Sequence, residues 1–157
     1  AHMRESMAGT LALPNTGMAT TIDIGEAKDI HPKNKQDAGA RLAHWALAEF
    51  YGKAEVIATG PMYASYAVQG STVIVKFKHA AGLQAKEARV VSGFALAGAD
   101  KKFHRATATV NANGAVEVSC DAVKTPVAVR YGWGDNPHVN LVNKAGLPTT
   151  PFRTDKW

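Results

Sequence analysis

The stretch Asp29-Ile30-His31-Pro32 carries the residues best suited to acid–base chemistry. In an extended segment, residues two apart project to the same side. Asp29 is then placed to reach the His31 ring and fix its tautomer, the task of the carboxylate in a hydrolase triad. Pro32 disfavours the α region for His31 and keeps the histidine on a loop. A helix starting just downstream brings partial positive charge, which disfavours imidazolium and leaves the ring a base near neutral pH. The same spacing fits a plainer arrangement, in which Asp29 caps the turn and His31 is a solvated loop residue.

Other chemistries have less support. The one cysteine, Cys120, excludes an internal disulfide and any Cys-based zinc site, and its Val118-Ser119-Cys120 context reads as a small buried hydrophobe. Among the six histidines, His2 belongs to an Ala1-His2-Met3 stretch that resembles an expression-vector remnant, residues 1–3, set outside the fold. His31, His44, His79, His104 and His138 lack metal-ligand spacing, so no metal site is expected. The 157 residues carry 18 Lys plus Arg and 13 Asp plus Glu, a net charge of +5. The basic residues are scattered, with carboxylates close by, rather than gathered into a patch with aromatics, which argues against nucleic-acid binding. No apolar run approaches the ~18–20 residues of a membrane-spanning helix, and residues 4–14 lack the apolar core of a signal peptide.

The elements that must position His31 come in two kinds. Thr20-Thr21-Ile22-Asp23-Ile24 predicts a short strand after the turn-rich Pro14-Asn15-Thr16-Gly17. From Asn34 to Tyr51, Ala38, Leu42, Trp45, Ala46 and Phe50 recur at helical spacing, with Pro32 ahead and Gly52 as a stop. Gly39 inside that helix implies a close approach by another backbone. Residues 4–53 thus read as strand, loop and helix, a piece of an α/β layer lacking the rest of its sheet. Beyond Gly52, β runs follow one another at 62–68, 72–77, 91–96, 106–110, 116–119 and 127–131, separated by Gly-, Asn- and Pro-bearing turns. Residues 54–157 therefore predict an antiparallel β-sandwich. Its tail from Gly132 to Trp157 has little periodicity and is expected to wrap over a surface. The fold class is mainly β.

A sandwich with aromatic faces can hold sugars, since an aromatic ring presents apolar surface with a polar tip. Tyr63, Tyr131, Trp133 and Trp157 are the candidates for a carbohydrate-binding module, with Tyr66 and Phe152 behind them. The plainer expectation is that Trp133 and Phe152 pack the tail and Tyr131 belongs to the core.

Several ordered motifs carry a resemblance along nearly the whole chain. They are Leu13-Pro14-Asn15-Thr16-Gly17-Met18-Ala19, Thr21-Ile22-Asp23-Ile24-Gly25 and Asp29-Ile30-His31-Pro32-Lys33-Asn34-Lys35-Gln36-Asp37, followed by Gly60-Pro61-Met62-Tyr63, Val129-Arg130-Tyr131-Gly132-Trp133 and Gly146-Leu147-Pro148. This pattern resembles the C-terminal part of sialate O-acetylesterase-like proteins, members of the SGNH (GDSL-like) hydrolases that cleave acetyl esters on sugars. The resemblance implies that His31 is the catalytic base and Asp29 its orienting carboxylate. It implies an acetylated carbohydrate as partner and no cofactor, in a family whose members are often secreted or periplasmic.

The family's serine nucleophile sits in a Gly-Asp-Ser-like block far upstream, as do its oxyanion donors. Ser6, Ser65, Ser71, Ser92 and Ser119 have no such context, and Gly134-Asp135-Asn136 falls in the wrong order. A base without its nucleophile forms no acyl-enzyme. The chain is accordingly expected to be inactive alone, and to pair as a homodimer, dock the missing catalytic part, or fold its helix back onto the sandwich.

Overall fold

Alternating valines write the centre of the structure. The computed structural model describes residues 1–157. In strand β2 (Thr72–Lys78), Val73 and Val75 point inward, and in β7 (Val116–Ser119) Val116 and Val118 do the same while Glu117 and Ser119 face solvent. These two strands pair antiparallel, with β1 (Met62–Gln69) outside β2 and β6 (Thr107–Val110) outside β7, giving the order β1-β2-β7-β6. A facing sheet has the order β10-β8-β4-β5, with β4 (Phe94–Ala97), β5 (Phe103–Arg105), β8 (Ala128–Tyr131) and β10 (Phe152–Arg153). Short strands β3 (Gln84–Ala85) and β9 (Leu141–Val142) pair at one end. Phe94, Leu96, Val129, Tyr131 and Phe152 meet the valines in one core cluster. Each such large apolar side chain contributes about 1.5–3 kcal/mol when fully buried. The mainly β sandwich expected from the sequence is the observed fold.

The tail departs from expectation. It does not lie over the surface but completes the core, supplying β9 and β10 and burying Leu141, Val142, Leu147, Thr149 and Phe152. Asn143, 1% exposed, is what lets it turn inside the protein. Its Oδ1 accepts the Ala145 and Leu147 N–H groups, each at 3.1 Å, and its Nδ2 donates to the Thr59 and His79 carbonyls. A buried polar side chain is tolerated only when satisfied in this way. Cys120 is partly buried against the core.

The first fifty residues also differ from the sequence reading. Helix α1 (His2–Gly9) continues into a 3-10 turn, Thr10–Ala12, so His2 and Met3 belong to the fold. Residues 20–24 form no strand. A parallel strand needs neighbours that this chain does not supply, and the segment instead turns, with the Ile24 N–H donating to the Thr21 carbonyl at 3.2 Å. Helix α2 (Lys35–Trp45) passes into a π turn, Ala46–Phe50, and ends before Gly52, whose φ of +66° suits glycine. The close approach falls at Gly17 rather than Gly39: a Cβ on Gly17 would enter the Trp45 ring, whereas Gly39 faces open space. Leu42 and Phe50 remain exposed.

α1 is fastened to the sandwich by two consecutive residues. The Arg4 guanidinium donates to the carbonyls of Gly132, Gly134 and Asp135. The Glu5 carboxylate takes two hydrogen bonds from Arg153, at 2.8 and 2.9 Å.

Candidate active site

The loop bearing His31 is built from local hydrogen bonds. Asn34 caps α2, its Oδ1 accepting the Asp37 N–H at 3.0 Å. The preceding turn is closed by a Glu26–Asp29 bridge and by the Lys33 N–H, which donates to Glu26 Oε1 at 3.1 Å. Arg41 of α2 reaches back to fork Asp23 with two hydrogen bonds, at 2.6 and 2.7 Å, and donates to the Thr20 carbonyl. The loop is thereby suspended between the helix and residues 20–23.

Asp29 and His31 are brought together. The His31 N–H donates to Asp29 Oδ1 at 2.8 Å, and the same oxygen lies 3.6 Å from His31 Nδ1. The carboxylate thus caps the turn, as the plainer expectation has it, and stands beside the ring beyond hydrogen-bond distance. A carboxylate near Nδ1 favours the proton on that nitrogen, leaving Nε2 free to accept one. The ring is 86% exposed, so Nε2 is open to a reactant arriving from outside the chain. No serine hydroxyl of the chain is hydrogen-bonded to either residue.

The four aromatic candidates scatter. Tyr131 lies wholly in the core, its hydroxyl accepting the Leu141 N–H at 3.1 Å, and burial pushes its phenol well above the usual range. It offers no face to a sugar, a correction to its place among the candidates and the outcome of the plainer expectation. Tyr63 stacks on Phe152 with ring centroids 4.6 Å apart, and burial raises its phenol too. Trp133 is half-buried: Arg153 and Arg130 sit 5.1 and 5.6 Å from its centroid, His2 meets it edge-on at 5.5 Å, and it lines a cavity of about 660 Å³ with Ser92, Arg105 and His138. Trp157 is 46% exposed, with the Lys101 ammonium 5.2 Å from its ring.

Two cavities that the sequence did not announce are lined by residues from 18–26, the segment ahead of the His31 loop. One of about 350 Å³ lies between α1, residues 18–26 and the sandwich loop 135–137. A second, of about 590 Å³, opens on the other side of Ile22 and Gly25 toward Lys86, Glu87 and His138. The only sequence signal was the turn Gly134-Asp135-Asn136-Pro137. No group of three or more His, Cys, Asp or Glu is placed to hold a metal ion, and no helix is long and apolar enough to cross a membrane.

Fold and sequence together relate the chain to carbohydrate esterases. It is similar to XAC1771, a carbohydrate acetylesterase from Xanthomonas citri whose crystal structure superposes with a TM-score of 0.91 at 46% sequence identity. The match covers 98% of this chain and 35% of that one, so the chain spans about a third of the length of that protein. No family model and no curated protein matches the chain.

Proposed function

We propose that the chain is the base-bearing part of a sialate O-acetylesterase-like, SGNH-type hydrolase that removes O-acetyl groups from sugars. The likeness to a carbohydrate acetylesterase over 98% of the chain carries this reading, and the Asp29–His31 pair gives it a mechanism. His31 Nε2 takes the proton of a serine hydroxyl supplied by the remainder of the enzyme, and the serine oxygen attacks the acetyl carbonyl. As the tetrahedral adduct collapses, the sugar oxygen leaves with that proton and the acetyl group stays on serine. Water, deprotonated by His31, then attacks the acyl-serine carbonyl, and the serine oxygen leaves with that proton as acetate is released. Asp29 stabilises the imidazolium in both halves. By itself the chain holds the base without the nucleophile and does not hydrolyse esters.

The test is deacetylation of acetylated xylan and of O-acetyl sialic acid by the whole enzyme and by its His31→Ala variant. Loss of acetate release in the variant, with the isolated chain inert toward p-nitrophenyl acetate, is the expected result. Hydrolysis by the isolated chain above its own His31→Ala control overturns the reading.

A further inference from the structure

We propose that the free edge of β1 is a dimerisation surface, on which a second copy of this chain lays its own β1 antiparallel across a two-fold axis at Ala67. This stands independently of the esterase reading.

β1 ends its sheet, so one side of its backbone has no strand beside it. Edges of this kind are usually blunted by charge, proline, a bulge or short length. Here the bulge falls early, at Ala64, where the register shifts between Tyr63 and Ser65. Beyond it, Ser65-Tyr66-Ala67-Val68-Gln69 runs on exposed, with no charged residue and no proline.

The apolar side chains of this edge belong to the core side of the sheet. Tyr66 and Val68 stand opposite Val75 and Val73 of β2, both buried, and opposed residues share a face. Tyr66 and Val68 nevertheless stay 38% and 44% exposed. The facing sheet ends in the two-residue β10, whose Phe152 stacks on Tyr63, and no strand continues over the rest of β1. Val127 approaches from the other side, itself 40% exposed, its carbonyl accepting the Tyr66 hydroxyl at 3.4 Å. An unpaired backbone thus lies beside an uncovered apolar strip of Tyr66, Val68 and Val127.

The strand is self-complementary in one register. Gln69 and Thr72 flank the turn Gly70-Ser71, and a turn of that length is closed by backbone hydrogen bonding between its flanking residues. Alternation along the ladder then directs the N–H and C=O groups of Ser65, Ala67 and Gln69 toward β2, and those of Tyr66 and Val68 outward. An axis at Ala67 sets Tyr66 opposite Val68 of the second copy, and Val68 opposite its Tyr66. The outward groups then meet one another, and each pair joins an aromatic to a β-branched side chain, a favourable cross-strand combination. On the other face Ser65 meets Gln69 and Ala67 meets itself, so no like charges are opposed. A foreign strand would have to reproduce these contacts, whereas a second copy supplies them by symmetry. Pairing over Ser65–Gln69 alone is a small contact and belongs among the weak, concentration-dependent ones.

The test is sedimentation velocity of the chain over a concentration series, with disulfide trapping to read the register. Reversible dimerisation is expected, with Val68→Lys raising the dissociation constant at least about tenfold by placing a charge on the edge. Val68→Pro, which removes an N–H that the β1–β2 ladder does not use, is the second variant, and the Tm of each shows that it folds. In a Cys120→Ser background, Ala67→Cys is expected to cross-link under mild oxidant, because Cα atoms of a non-hydrogen-bonded pair lie ~4.5 Å apart, within reach of a disulfide. Ser65→Cys and Gln69→Cys should cross-link readily when mixed and at least about tenfold more slowly alone. A single-chain mass at every concentration, a dimer indifferent to both Val68 variants, or cross-linking no faster for Ala67→Cys than for Ser65→Cys alone overturns the proposal.

Discussion

Arg130 and Arg153 stand directly opposite each other across the β8–β10 ladder. Like charges in that position are destabilising unless anions intervene. Asp155, whose side chain has no exposed surface, forks Arg130 at 2.8 and 2.6 Å and lies 3.8 Å from Arg153. Glu5 forks Arg153 from α1. Phe103 covers the Arg130 guanidinium at 3.8 Å, completing the enclosure. Four charges therefore fasten the tail to the sheet and α1 to the tail.

Replacing Asp155 by Asn keeps the shape and removes the charge between the arginines. The expected loss is about 2–3 kcal/mol, since a largely buried guanidinium is left without its counter-ion. Urea denaturation followed by tryptophan fluorescence measures it, and a midpoint equal to wild type contradicts the account.

The same network sets an acid limit. Hydrogen bonding to Arg130 holds the Asp155 carboxyl below its ordinary 3.8, and hydrogen bonding to Arg153 holds Glu5 below 4.5. A depressed folded-state pKa means stability that is complete above the unfolded value and is lost as pH falls through the folded one. Stability is thus expected to hold down to about pH 5 and to fall below about pH 4. Urea midpoints taken from pH 7 to pH 2.5 test this, with Glu5→Gln, Asp155→Asn flattening the fall.

At the candidate site, His31→Ala in the whole enzyme is expected to lower kcat by about 10²–10⁴-fold, the usual contribution of a positioned base. Asp29→Asn removes the carboxylate beside Nδ1 and is expected to lower kcat with little change in KM. Because the His31 ring is solvent-exposed, His31→Ala in the chain alone should leave stability within about 0.5 kcal/mol. A Tm drop of many degrees instead marks the residue as structural.

Much of the sandwich was legible because its strands alternate strictly, as in Val116-Glu117-Val118-Ser119, and period two has one structural meaning when turns bound the run. The tail was not, because its order comes from Asn143 reaching Thr59 and His79, contacts across 84 and 64 residues that leave no local pattern. Residues 20–24 misled for the converse reason. Their β character is local, whereas a strand requires partners, and here Asp23 answers to Arg41. That Asp29 and His31 share one turn was readable from spacing, but spacing left the turn cap and the ring partner as alternatives, and only the resemblance favoured the second. The walls of the cavity between α1, residues 18–26 and the loop 135–137 were not readable, being contributed by residues more than a hundred positions apart.

Gly17 offers the sharpest test of how the His31-bearing segment is held. A Cβ there falls inside the Trp45 ring, and Trp45 is the last residue of α2, whose first turn follows the His31 loop. Gly17→Ala must push the indole away or bend residues 15–20, loosening the loop held by Arg41 at its other end. Overpacking of this sort costs about 1–3 kcal/mol. Because Trp45 lies outside the sandwich core, that loss should appear as local opening rather than global unfolding. Hydrogen exchange should therefore quicken at the amides of α2 in Gly17→Ala while those of β2, β7 and β8 keep wild-type protection. Uniform acceleration across both regions refutes this; so does unchanged exchange in α2. Gly39→Ala, in open space on the same helix, should instead slow exchange there slightly, as alanine favours helix by ~1 kcal/mol over glycine.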